Sequence, residues 1–222
     1  MRYAVKTAEL FDFSHTVAGD LLQKCTYPWE ALAHIGAWIN AIGPTLPTAE
    51  YECVAEQIWV ARSACVAATA CLSGPCIIGH ETEVRHGALV RGAVLVGDGA
   101  VVGNSSELKN AILLDGAKVP HFNYVGDSIL GHRAHLGAGA VISNVKGDGS
   151  PVTVRTPVGS RSTGHKKLGA MVGDGAEIGC GCVLNPGTVV GKGSRIYPLV
   201  AVRGVVPQGV ICKQAGDFTV IG

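Results

Sequence analysis

The sequence predicts an all-β solenoid, a chain wound into a stack of short parallel strands, and three observations carry that reading. An aliphatic residue recurs at every sixth position: Val54, Val60, Val66, Leu72, Ile78, Val84, Val90, Val96, Val102 and Leu108. Glycine makes up 31 of the 222 residues and often follows that aliphatic residue directly, as at Gly79, Gly97, Gly103, Gly126, Gly131, Gly137, Gly173, Gly179 and Gly191. Small residues stand four places after it, among them Thr82, Ala100, Ala176, Cys182 and Thr188. A six-residue period fits neither a helical heptad nor a hairpin meander. Three such units closing a triangle place every third aliphatic residue above the last, about 4.8 Å away at strand spacing. The glycines are then expected where the chain turns a corner with unusual backbone angles, and the small residues inside a tight coil.

In chain order, residues 1–53 lack this period. Pro28 opens PWEALAHIGAWINAIGP, whose Leu32, Ile35, Ile39 and Ile42 share one face and which ends at Gly43-Pro44, so one amphipathic helix is expected there. A shorter helix is expected over 17–24. A solenoid exposes its first coil, so this helical segment reads as a cap over the apolar end. The solenoid domain follows over 54–222, with hexads to about residue 207. Its register slips by one between Leu108 and Leu113, runs through Val119 and Val125, slips again to Leu130, continues to Leu136 and Ile142, and resumes at Val172. The interruption contains an insert, 145–167, with Lys146, Arg155, Arg161, Lys166 and Lys167 against the single acid Asp148. A Gly-rich basic loop of this length is expected to be functional or mobile, covering a phosphorylated ligand or packing on a neighbouring subunit. Its GSRSTGHKK places His165 where a phosphate-binding loop needs Lys, and no strand-to-helix context precedes it, so that reading is rejected.

Composition narrows the function. With 18 basic and 17 acidic residues the net charge is +1, which gives no general field for nucleic acid. No apolar run is long enough to cross a bilayer and the N-terminus has no signal-peptide pattern, so a cytoplasmic protein without membrane contact is expected. Eight Cys in such a chain read as reduced thiols. Cys53 and Cys71, eighteen apart, are expected to stack as free thiols, and Cys180-Gly181-Cys182 lacks the two-residue spacer of a zinc or redox motif.

One circuit takes eighteen residues, so Arg91 and Lys109 fall in one corner of successive coils, with Gly126 and Ser143 next in the column once the slips are counted. At about 5 Å two cations repel by roughly 1 kcal/mol in water and more near a partly buried surface. Either the side chains splay into solvent or an anion such as phosphate lies between them.

The hexads over about 54–207 resemble the hexapeptide repeat of left-handed parallel β-helix proteins, and the handedness is implied by that resemblance. The stretch VGNSSELKNAILLDGAKVPHFNYVGD (102–127), with LGAGAVISN (136–144), resembles the acetyltransferase domain of the bifunctional N-acetylglucosamine-1-phosphate uridyltransferase/glucosamine-1-phosphate acetyltransferases. The resemblance implies an acyl-coenzyme-A-dependent N-acetyltransferase of an amino-sugar phosphate or nucleotide sugar, assembled as a homotrimer. Acetyl-coenzyme A is the implied acyl donor, and no metal is required. It implies Arg91 and Lys109 as sugar-phosphate ligands, Tyr124 on the phosphate side, His121 as the base and Asn144 close to the acetyl group, donating to the carbonyl oxygen. Residues 1–53 resemble no nucleotide-binding domain, so uridyltransferase activity is not expected.

The sequence departs from the family pattern on the acyl side. His135 replaces an Asn, Asn144-Val145-Lys146-Gly147 replaces Asn-Tyr-Asp-Gly, and Ser150 stands where a Lys is usual. A non-catalytic sugar-phosphate or nucleotide-sugar binding protein is therefore the alternative. A γ-carbonic-anhydrase-like zinc enzyme is weaker: that family's close His pair has four residues between the ligands, whereas His132 and His135 have two, and no His stands five after His121.

Overall fold

The computed structural model describes residues 3–221 as a triangular parallel β-solenoid with a helical N-terminal segment laid along its flank. The aliphatic period produces three inward columns. On the first face Val60, Ile78, Val96, Leu113, Leu130, Val172, Val190 and Val206 stand in register. On the second, Leu72, Val90, Leu108, Val125, Ile142, Leu184 and Val202 do so. On the third, Val66, Val84, Val102 and Val119 lead to Leu136, Ile178, Ile196 and Cys212, the halves joined by Lys118 opposite His135. From Val84 onward these aliphatic side chains are buried together in one core, each contributing about 1.5–3 kcal/mol relative to exposure.

The two slips have a local cause. Strands Glu107–Leu113 and Tyr124–Leu130 run unbroken through the corner between the second and first faces. In the coil before them that corner uses two left-handed residues, Gly92 (φ 88°) and Ala93 (φ 51°); in the shortened coils Asn110 (φ 46°) and Asp127 (φ 48°) each turn it alone. Asn and Asp tolerate this conformation better than other side chains.

The glycines after the aliphatic residue serve a different purpose from the one expected. None of the nine has a positive φ; left-handed glycines lie two places further on, at Gly99, Gly139, Gly175, Gly181 and Gly193. Eight of them are required because the next coil passes too close for a side chain, and at Gly126 the nearest obstacle is the Tyr124 hydroxyl of the same strand. A Cβ at Gly97 would lie 2.5 Å from Asp115 Oδ1, and one at Gly179 would lie 2.5 Å from Pro198 N.

The expected single helix over 28–44 is three pieces: a 3-10 turn Pro28–Ala33, an α-helix Ile35–Ile42 and a 3-10 turn Gly43–Thr45. Buried Trp29, Leu32 and Ile35 recur every three residues, which a three-residue turn gathers on one side; Ile35 to Ile39 then follows the α period. The shorter helix is Gly19–Gln23.

These pieces do not cap the solenoid's end. Leu10, Phe11, Trp29, Ile35 and Ile39 pack on the outward row of the first face, Trp59, Ile77, Leu95, Ile112, Ile129 and Met171. That row is apolar where the outward positions of the third face carry Glu83, Lys118, Glu177 and Arg195, so burial selects the flank. The first coil stays open: Val66 is 36% exposed, and Val54 is 53% exposed because Tyr51–Ala55 returns antiparallel on Ile58–Ala61 instead of entering the coil. The same hairpin puts Cys53 opposite Trp59 and not over Cys71, and all eight cysteines are free. Strand Tyr51–Ala55 spans the expected boundary at residue 53. At the far end Val210–Gln214 pairs antiparallel with Asp217–Val220.

The insert is an ordered hairpin, not a loose loop. Thr153–Thr156 pairs antiparallel with Gly159–Ser162, Val152 and Val154 are buried in the flank core, and the Arg161 guanidinium lies 4.4 Å from the Tyr27 ring centre. No helix follows Gly159–Ser162 before the coil resumes at Ala170–Val172. Among the described residues no helix is long and apolar enough to cross a membrane.

Candidate functional site

The second face carries the residues of interest between its two edges. At the edge shared with the first face, Ser73 pairs with Arg91, Val90 with Leu108, and Lys109 with Gly126, so Arg91 and Lys109 are neighbours in one column as the spacing requires. The protein itself offsets part of their repulsion: Arg91 Nη1 donates to Glu107 Oε1 at 2.6 Å. Arg91 is exposed, so this pair contributes little to stability. Half-buried Lys109 forms no ion pair among the described residues.

Tyr124 stands opposite Glu107 in the adjacent coil. Burial first, then the Glu107 charge, pushes its hydroxyl above the ordinary tyrosine range, so it remains a proton donor at neutral pH. Asn144 Nδ2 donates to Tyr124 Oη at 3.3 Å and to Asp127 Oδ2 at 2.6 Å, and Asn110 Nδ2 donates to Asp127 Oδ1 at 2.9 Å. Gly126 makes room for this cluster, because a Cβ there would lie 2.6 Å from Tyr124 Oη and 2.8 Å from Asn144 Nδ2. Both hydrogens of Asn144 Nδ2 are engaged in this arrangement. Its side-chain Oδ1 is the atom left without a partner among the described residues.

His121 ends the strand Lys118–His121 at the opposite edge, opposite Asn104 and five positions before Gly126. Its backbone is fixed by N–H donation to Asn123 Oδ1 at 3.1 Å and by acceptance from Gly139 N at 3.0 Å. The imidazole is exposed and makes no hydrogen bond to another described residue. The structure thus brings Arg91, Lys109, Tyr124 and Asn144 to one corner, with His121 across the face. Five clefts elsewhere are lined by other residues, and none of these five includes Arg91, Lys109 or His121.

Sequence reasoning missed Glu107, Asn110 and Asp127. A signal existed, since Asn110, Asp127 and Asn144 repeat at intervals of 17, the length of the shortened coils. The departures on the acyl side also acquire positions. His135 Nδ1 lies 2.8 Å from Glu177 Oε2, and Lys146 Nζ donates to Ser150 Oγ at 2.9 Å and to Pro151 O at 3.0 Å. His132 stacks on His15 at 3.7 Å between ring centres, with Nδ1 2.7 Å from Asp115 O. Among the described residues no three His, Cys, Asp or Glu side chains are grouped to hold a metal ion.

Residues 72–163 match the family model described as the GMPPB C-terminal domain. The chain is 36% identical over 107 residues to a bifunctional sugar-1-phosphate nucleotidylyltransferase/acetyltransferase of Sulfurisphaera tokodaii, covering 48% of this chain and 27% of that protein. It is 37% identical over 91 residues to the bifunctional protein GlmU of Methanococcus vannielii, covering 41% of this chain and 22% of that one. A third relative, described as the putative uncharacterized acetyltransferase YaiX of Escherichia coli K12, is 34% identical over 104 residues, covering 47% of this chain and 45% of its own length. The chain spans less than half the length of each of these relatives. Among solved structures, a putative acetyltransferase from Bacillus cereus aligns at TM-score 0.39 and 18% identity, covering 72% of this chain and 75% of its own. These relatives agree with the family resemblance carried by 102–127 and 136–144.

Proposed function

We propose that this protein is an acyl-coenzyme-A-dependent N-acetyltransferase of an amino-sugar phosphate or nucleotide-linked amino sugar. The observation that carries the reading is the register that sets Lys109 and Arg91 beside the Tyr124 hydroxyl on the face edged by His121. Sequence similarity to sugar-1-phosphate nucleotidylyltransferase/acetyltransferases over about half the chain supports it.

In this reading the substrate phosphate lies against Lys109 and Arg91, displacing Glu107 from the guanidinium, and accepts from Tyr124 O–H. The sugar then crosses the face toward His121. Neutral imidazole takes a proton from the sugar amine as its nitrogen attacks the thioester carbonyl carbon. The tetrahedral intermediate collapses with cleavage of the C–S bond, and the imidazolium returns its proton to the departing sulfur. The products are the N-acetyl sugar and coenzyme A thiol. The open face supports a homotrimer in which a second copy walls the site, because apolar Leu89, Val141 and Val183 lie along its outward row beside Tyr124. Lys146, held beside Ser150, supplies a cation close to the position where the family pattern carries lysine.

The acyl-side departures favour one second reading, a sugar-phosphate binding protein without transfer activity. Thiol release from acetyl-coenzyme A with a panel of amino-sugar 1-phosphates and nucleotide-linked amino sugars separates the two. Turnover with one member of the panel is expected. Measurable binding of these compounds without thiol release from any would replace the enzyme by the binding protein.

A further inference from the structure

Asp127 is 5% exposed and forms no ion pair among the described residues; its two carboxylate oxygens accept from two side-chain amides. A buried carboxylate requires such donors, and here both come from the 17-residue ladder that turns the corner, Asn110 below and Asn144 above. The chain invests further in this point. Asp127 occupies a left-handed backbone conformation at φ 48°, Asn110 does so at φ 46°, and the Gly169 N–H that restarts the coil after the insert donates to Asp127 O at 2.9 Å.

The geometry points to Asp127 as a positioning residue: its carboxylate fixes the Asn144 amide so that Nδ2 faces Tyr124 Oη, which leaves the Tyr124 proton directed at the bound anion. This inference rests on the proposed reading of the corner as a phosphate site and names what orients it. The argument is one of donors and acceptors. A carboxylate only accepts, so the Asn144 edge that meets it must be the NH2 edge, and its second hydrogen then faces Tyr124. A hydroxyl that accepts from Asn144 keeps its own hydrogen for another acceptor. Turned over, Asn144 would present Oδ1 to Tyr124, the hydroxyl would donate inward, and the anion would meet a lone pair. The buried carboxylate makes that flipped state costly, because it would leave one Asp127 oxygen unsatisfied.

The test uses the intact protein and glucosamine 1-phosphate as the probe, with affinity measured by titration calorimetry and folding by thermal melting. Asp127→Asn is expected to weaken binding about tenfold, the scale of one oriented hydrogen bond to an anion. On a Tyr124→Phe background it should add little, because the proton it directs is gone. The exchanged pair Asp127→Asn/Asn144→Asp restores a donor and an acceptor between the two positions but turns an acceptor toward Tyr124. It should therefore recover melting temperature without recovering affinity. Recovery of both, or losses that simply add with Tyr124→Phe, would reduce Asp127 to a structural residue and overturn the inference alone. Wild-type protein that binds neither glucosamine 1-phosphate nor the other sugar phosphates of the panel would overturn the phosphate reading, and this inference with it.

Discussion

The two edges of the second face are built in opposite ways. At one, Arg91 is paired with Glu107, and Tyr124, Asn144, Asp127 and Asn110 form a continuous set of hydrogen bonds across three coils. At the other, His121 is held by its backbone and its imidazole has no hydrogen-bond partner among the described residues. A group that binds an anion gains from being fixed before the ligand arrives. A base that takes and returns a proton must reach the reacting nitrogen and keep a lone pair unoccupied. In the proposed reading binding belongs to the first edge and chemistry to the second, and mutations should separate them.

The largest effect is expected from His121→Ala, which should lower kcat by about 10²–10⁴-fold while sugar-phosphate affinity and melting temperature stay near wild type. A parallel loss of binding would erase the division between the edges. Gly126→Ala attacks the other edge by forcing a methyl against Tyr124 Oη and Asn144 Nδ2. It should weaken phosphate binding by about tenfold and destabilise the fold by about 1–3 kcal/mol, measured by calorimetry and denaturant unfolding. Glu107→Gln sharpens the comparison in the reverse direction: with no carboxylate competing for Arg91, phosphate affinity should rise by about two- to fivefold at low salt and less at high salt.

The smallest effect near neutral pH belongs to the core behind the first face. Burial pushes the Cys76 thiol from 9.0 up to about 12. The unfolded chain therefore loses that proton first, and stability should fall as pH rises from about 9 to 12, with Cys76→Ala flattening the slope. Denaturant midpoints measured across this range check the sign; a midpoint independent of pH, or one rising with it, contradicts the assignment.

Much of this fold was legible because a solenoid is close to one-dimensional: the spacing of Val60, Ile78 and Val96 is itself a tertiary contact. The same arithmetic set Arg91 beside Lys109 and Gly126 after it. What escaped it depends on contacts that spacing does not encode. The glycine at Gly97 looked like a turn residue, yet it is a gap for the next coil's Asp115. The helical segment covers the flank because of an outward row, Ile77, Leu95, Ile112 and Ile129, which the inward hexad masked. The insert gained its order from Val152 and Val154, two residues among many polar ones. Asp127 carries no mark of its role in the sequence, and only its partners reveal a buried carboxylate.

The division of labour on this face is tested most directly by the ratio of kcat/KM for glucosamine 1-phosphate to that for glucosamine, followed by coenzyme A thiol release in wild type and Lys109→Ala. Lys109 acting on the phosphate predicts a strong wild-type preference for the phosphorylated amine, of about a hundredfold, that collapses in the variant while glucosamine turnover is unchanged. An equal preference in both proteins would contradict it.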